Sequence, residues 1–183
     1  METEDILIEL KQLSQNNDIK KSEIMEILKK YARIISVNDL MLATARMRKD
    51  GEYVQKNYRE KYLTVYIKYF IMRMKEVKEF EEYEDTVIDK ELFDTSFPML
   101  KRTFEKERLS NAKDDKFPLI YVITALYTTF ILEEPIHPVG SEFPGSLFVE
   151  EKNGEFFCPV KENQKDNINA ICHLCLAEQT PDI

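Results

Sequence analysis

The side chains of this 183-residue chain best suited to hold a soft cation are gathered towards its end. Cys158 is followed by the C-x2-C pair Cys172 and Cys175, His137 precedes them, and His173 stands inside the pair. These are all the cysteines and histidines of the chain. Zinc prefers thiolate and imidazole ligands, and a closed tetrahedral site needs four of them. Cys158, Cys172, Cys175 and His137 make such a Cys3His set. His137 lies in His-Pro-Val-Gly, where Pro138 restrains the backbone and Gly140 permits a sharp turn. His173 is the weaker candidate, because its place between the two cysteines turns it away from a centre they share. Zinc is the expected ion. An iron-sulfur cluster is the second reading, and it would leave one iron with His or with an open position.

Two duller readings compete with a metal: a redox C-x2-C and plain part-buried thiols. Thioredoxin-type chemistry loses weight because the pair is not set in a βαβ pattern. The N-terminal stretch METEDILIELKQ is acidic and carries no basic segment or cleavage signal, so a cytoplasmic location is expected. In such a reducing compartment, an odd number of cysteines points to ligands or free thiols before disulfides.

Other chemistries find little support. The phosphate loops GxxxxGK[ST] and GxGxxG are missing, and no nucleophile-elbow pattern is present. A di-iron helical bundle needs Glu-x-x-His pairs, and neither histidine has Glu three residues before it. A net charge of −8 argues against a general nucleic-acid binder. The basic run Arg46, Arg48, Lys49, Lys56, Arg59, Lys61 reads as a solvated helix face, and the acidic run from Glu81 to Asp94 as its partner or as helix caps. Glu178, near Cys175, is a candidate to orient a ligand from behind.

The elements that must position these residues are mainly helices. Apolar spacing predicts a first helix through Ile6, Leu7, Leu10 and Leu13. A second follows over 23–35 with Ser22 as its cap, and a third from Asn38 closes at Gly51. The longest pattern covers 52–80, and another covers 90–108, bent or restarted at Pro98. A polar link at 113–116 leads to the uncharged stretch 117–132. At 16 residues it is short of the ~20 that span a bilayer, so it reads as a buried central helix and no membrane is expected.

Three of the four glycines and four of the seven prolines lie between 135 and 159, which no helix survives. Strands 146–151 and 155–158 around Asn153-Gly154 predict a type I′ hairpin, and a last short helix is expected near 168–179. The blocks HPVG, FPG at 143–145, FCPVKENQKDN and CHLCLAEQ, with MRKDGEYVQKNYREKY at 47–62, resemble a family of uncharacterised archaeal proteins found mainly in methanogens. The resemblance implies an archaeal, cytoplasmic origin and assigns no activity, ligand or catalytic residue.

The expected fold is mainly α: an irregular helical bundle over 1–134, with a small β-hairpin plus helix module over 135–183 docked on it. Phe143, Leu147, Phe148, Phe156 and Phe157 are the expected docking residues. Such a module is too small to hold itself by burial alone, and a bound ion would close it. Two functions survive: a non-catalytic protein stapled by its metal and acting through a protein partner, or a metalloenzyme or iron-sulfur protein with an open coordination position.

Overall fold

A computed structural model describes residues 2–53, 55–79, 81, 84–110, 116–168 and 170–181. The fold is mainly α. Its helices are α1 (Glu2–Leu13), α2 (Lys21–Ala32), α3 (Val37–Asp50), α4 (Lys56–Glu79), α5 (Lys90–Ser110) and α6 (Phe117–Leu126). α6 packs against each of the other five. Its residues 118–120 and 122–126 are buried, which accounts for a stretch with no charge: a helix apolar on every side belongs inside a core. Among the described residues no helix is long and apolar enough to cross a membrane.

The expected helix over 117–133 changes form before it ends. Tyr127–Ile131 widens into a π-helical turn, with the Leu132 amide donating to the Tyr127 carbonyl at 3.1 Å. The Thr124 and Thr128 hydroxyls donate to carbonyls four residues back, at 2.9 and 2.8 Å. Such turns are rare and concentrate where a helix must re-aim its side chains. Here Thr129 is left facing the C-terminal segment, and its hydroxyl donates to the Leu174 carbonyl at 3.1 Å.

Local signals place several helix starts differently from the sequence reading. α2 begins at Lys21, not after Ser22, because Glu23 accepts the Lys20 amide at 2.9 Å and the Ser22 amide is taken by Asp85 at 3.0 Å. α3 is capped by Ser36 in place of Asn38: its hydroxyl accepts the Asp39 amide at 3.2 Å while Asp39 accepts the Ser36 amide at 2.7 Å. Gly51 does end α3, but with φ of −71° it needs no left-handed backbone. A Cβ there would meet Leu63 Cδ2 at 2.6 Å, so a larger residue would require the Leu63 side chain to shift. α5 runs through Pro98 without interruption. The expected polar link lies outside the described residues except for Lys116, whose ammonium bonds the Ile34 carbonyl at 2.8 Å.

The C-terminal segment holds two hairpins where one was expected. β1 (Glu142–Phe143) pairs antiparallel with β2 (Leu147–Phe148) around Gly145 and Ser146, at φ of 90° and 58°. β3 (Glu150–Lys152) pairs with β4 (Glu155–Cys158) around Asn153 and Gly154, at φ of 57° and 83°, the left-handed pair that a type I′ turn demands. The expected helix over 168–179 does not form. A 3-10 turn, Ile171–His173, leads instead to β5 (Glu178–Gln179), which lies parallel to β4. So short a segment cannot sustain a helix by itself. Its apolar residues also part company: Leu174 enters the main core, whereas Ala177 joins Val149 and Cys158 in a separate small cluster. Phe143 packs on Tyr62, with ring centroids 6.4 Å apart. Phe148 is 42% exposed, and Phe156 packs within the small cluster.

Candidate metal centre

β4 ends in Cys158 and the chain turns at once, the Lys161 amide donating to the Cys158 carbonyl at 3.4 Å. The C-x2-C pair closes in the same way, with the Cys175 amide on the Cys172 carbonyl at 3.3 Å. Because β5 runs beside β4, the second turn is delivered alongside the first, and the Thr180 amide reaches the Cys158 carbonyl at 3.2 Å. The Gln179 side-chain amide donates to the Pro159 carbonyl at 3.3 Å, and its oxygen accepts the Glu162 amide at 2.9 Å. The 158–161 turn is therefore clamped by β5 as well as by its own strand.

The three sulfurs lie within electrostatic reach of one another. Burial pushes the Cys158 thiol up, and the charge of Cys175 adds to this; the Val160 and Lys161 amides at its sulfur and the Lys161 ammonium pull it back. Burial likewise raises Cys172, with Cys175 and Cys158 adding and Lys161 opposing. The Ile136 amide donates to the Cys175 sulfur at 3.4 Å. Lys161 spans the group, its ammonium donating to the Cys172 and Cys175 carbonyls at 2.5 and 2.8 Å.

His137 borders this group through tyrosines. Its ring packs on Tyr66 and Tyr62, at centroid distances of 5.4 and 5.9 Å, and meets Phe143 edge-on at 5.5 Å. Its Nε2 lies 3.2 Å from the Tyr62 hydroxyl. Burial alone pushes its pKa down to about 4, so the imidazole is neutral near pH 7. Tyr66 is pushed up to about 12 and Tyr62 well above its ordinary value; burial is the main cause for both, and the charge of Cys172 contributes to both. His173 is exposed, with Nε2 2.9 Å from the Asn167 carbonyl. Glu178 is exposed as well, and the clamping residue is its neighbour Gln179.

The donor chemistry suits a soft cation: three thiols, one of which, Cys175, accepts the Ile136 amide. The closure does not yet match. Among the described residues no three or more His, Cys, Asp or Glu side chains form a group that could hold a metal ion. The residues that sequence reasoning missed are Lys161, Gln179 and Thr129. Only Lys161 had a readable signal, since Cys158-x2-Lys161 repeats the spacing of Cys172-x2-Cys175.

The charge runs serve the scaffold. Arg46 sits over the Phe117 ring at 4.3 Å, and Lys61 pairs with Glu142 at 3.1 Å. Asp85 and Asp89 bond the Ser22 and Leu92 amides in the first turns of α2 and α5, which is the cap reading; Glu82 lies outside the described residues.

Comparison with known proteins agrees with the resemblance carried by the sequence blocks. Residues 20–180 match the family described as uncharacterized protein conserved in archaea (DUF2115). A UPF0305 protein of Methanothermobacter thermautotrophicus is 31% identical over 168 residues, covering 88% of this chain and 97% of the relative. The UPF0305 protein MJ0646 of Methanocaldococcus jannaschii is 28% identical over 167 residues, covering 90% and 99%. The UPF0305 protein MK0666 of Methanopyrus kandleri is 39% identical over 71 residues, or 38% of this chain and half of the relative. No solved structure matches the chain. With that match over most of its length, the chain belongs to the archaeal DUF2115 family.

Proposed function

We propose that Cys158, Cys172 and Cys175 bind one soft cation, with zinc favoured over an iron-sulfur cluster, and that the ion's first task is to hold the C-terminal segment in shape. The observation that carries this reading is that β4 and β5 set two turns of like closure side by side, with Cys158, Cys172 and Cys175 within electrostatic reach of one another and the Ile136 amide donating to the Cys175 sulfur. Hydrogen bonds of that kind favour the thiolate, the form that binds metal. The small cluster of Val149, Cys158 and Ala177 supports it from the energetic side, because so little burial leaves a role for a tighter link. A reducing, cytoplasmic setting, which keeps such thiols free, belongs to the same reading. The protein then acts as a binding or structural protein through a surface, not through the ion.

His137 is the chain's own candidate for a fourth ligand, through Nδ1, since Nε2 faces Tyr62. If that position stays open to water or a small molecule, the centre becomes that of a metalloenzyme. A cavity of about 30 Å³, room for a water or two, lies next to the centre behind Ile136, whose amide donates to Cys175, and is lined by Tyr66, Tyr121 and Arg73 with none of the candidate ligands in its wall.

Elemental analysis of protein purified under reducing conditions tests the proposal. The expected result is colourless protein with about one zinc per chain. Cys158→Ser and Cys172→Ser should lose the ion and unfold at lower temperature. A brown, oxygen-sensitive sample would transfer the site to an iron-sulfur cluster. Metal-free protein, fully folded and indifferent to both substitutions, would overturn the proposal.

A further inference from the structure

The 172–175 turn supplies sulfur at its first and fourth residues. The 158–161 turn is closed by a backbone bond of the same span and supplies sulfur only at its first residue; the fourth is Lys161. We propose that, when no ion is bound, Lys161 stands at the corner a fourth ligand would take, its ammonium tying the two turns together in place of a sulfur.

Two hydrogen bonds place it there. The ammonium reaches both ends of the opposing turn, at the Cys172 and Cys175 carbonyls, by bonds of 2.5 and 2.8 Å. Its charge is also felt at the sulfurs of Cys158 and Cys172, one from each turn. A charged donor bridging two carbonyls in a half-buried place is a strong link, and it supplies positive charge where an ion would.

The arrangement also sets the charge of the loaded centre. Three thiolates and a divalent ion carry a formal charge of −1, which the ammonium brings to zero, whereas four thiolates would carry −2 in a segment where burial already opposes charge. The chemistry assigned to the centre is therefore that of a three-sulfur site for a divalent soft ion. The placement of Lys161 rests on the geometry of the turns, and only the identity of the ion rests on the function proposed above.

Cobalt(II) titration of the reduced, full-length chain tests the placement, followed by its ligand-field bands and its thiolate-to-cobalt absorption. The Lys161→Cys chain should bind cobalt at least about tenfold more tightly than the wild type, because it gains an inner ligand where even outer-shell changes are worth 10–100-fold. Its charge-transfer absorption should rise by about a third, four sulfurs replacing three. In the presence of a chelator, the Lys161→Met chain should unfold at a lower temperature than the wild type, because the tie between the turns is lost.

Cobalt bound to Lys161→Cys with the same sulfur absorption as the wild type would overturn the fourth-corner placement. An unchanged unfolding temperature for Lys161→Met in chelator would overturn the tie, and that comparison decides it even if Lys161→Cys fails to fold. If the wild type takes up no cobalt and Lys161→Cys does, the binding function falls while the placement stands. If neither takes it up, the placement falls too.

Discussion

In the helical body α6 buries every residue from 122 to 126 against five other helices, while the sheet of β3, β4 and β5 closes over a cluster whose buried members are Val149, Cys158 and Ala177. The body is held by area removed from water. The C-terminal segment buries Leu174 in that body and is otherwise tied to it by polar bonds: Thr129 to the Leu174 carbonyl, Arg102 to the Ile168 carbonyl at 2.8 Å, and Tyr58 accepting the Gly145 amide at 3.2 Å. Burial is undirected and tolerates small shifts, whereas each tie needs two particular groups in place. The chain thus joins a robust scaffold to a segment that depends on a few bonds, and the cysteines sit in the second.

The comparison can be broken most forcefully in the body. Phe93 is fully buried and meets Phe97 and Phe130 edge-on. Phe93→Ala should cost about 3–5 kcal/mol in urea unfolding and lower the stability of the whole chain. Among the described residues Leu174 is the one C-terminal side chain buried in the main core, so Leu174→Ala should cost about 2–4 kcal/mol. It should also speed alkylation of Cys172 and Cys175 well beyond any effect of Phe93→Ala under native conditions. Equal alkylation in the two variants would mean that the segment does not open separately.

Acid should expose the seam between the two regions. His137 titrates near 4 in the folded chain against an ordinary 6.5, so between those values the unfolded chain binds a proton that the folded one refuses. Stability should therefore be unaffected by this group above about pH 6.5 and fall as the pH drops towards 4, by about 1–3 kcal/mol. In His137→Gln that part of the loss should vanish from pH-dependent unfolding curves. The smallest effect belongs to the rim. Lys152 and Glu150 pair at 2.7 Å with both side chains about half exposed, and Lys152→Ala should change stability by less than about 0.5 kcal/mol.

The same division governs what the sequence made legible. The bundle followed from apolar spacing, and the central helix from the uncharged run at 117–132, because burial of a helix face is written in every third or fourth residue. The Asn153-Gly154 hairpin was readable because a type I′ turn restricts residue choice so strongly. The start of α2 at Lys21 was displaced because Asp85, which takes the Ser22 amide, reaches it only through the fold, whereas the Ser36 cap of α3 was written locally in its partner Asp39 three residues on. The segment after 168 was misread for a similar reason. Its residues resemble a short amphipathic helix, but Leu174 and Ala177 go to different cores and β4 offers an edge to pair with. The cysteines were visible as a set. Lys161, the side chain that links their turns, was legible only as a spacing, Cys158-x2-Lys161 beside Cys172-x2-Cys175, because a lysine in a polar run reads as solvent-facing until the two turns are seen together.

The claim that three cysteines form a single soft-cation centre is tested most directly by X-ray absorption at the zinc edge on zinc-loaded protein. The account predicts a shell of three sulfur atoms at about 2.3 Å, with one lighter atom completing the sphere. A shell of oxygen and nitrogen alone, with no sulfur, would contradict it.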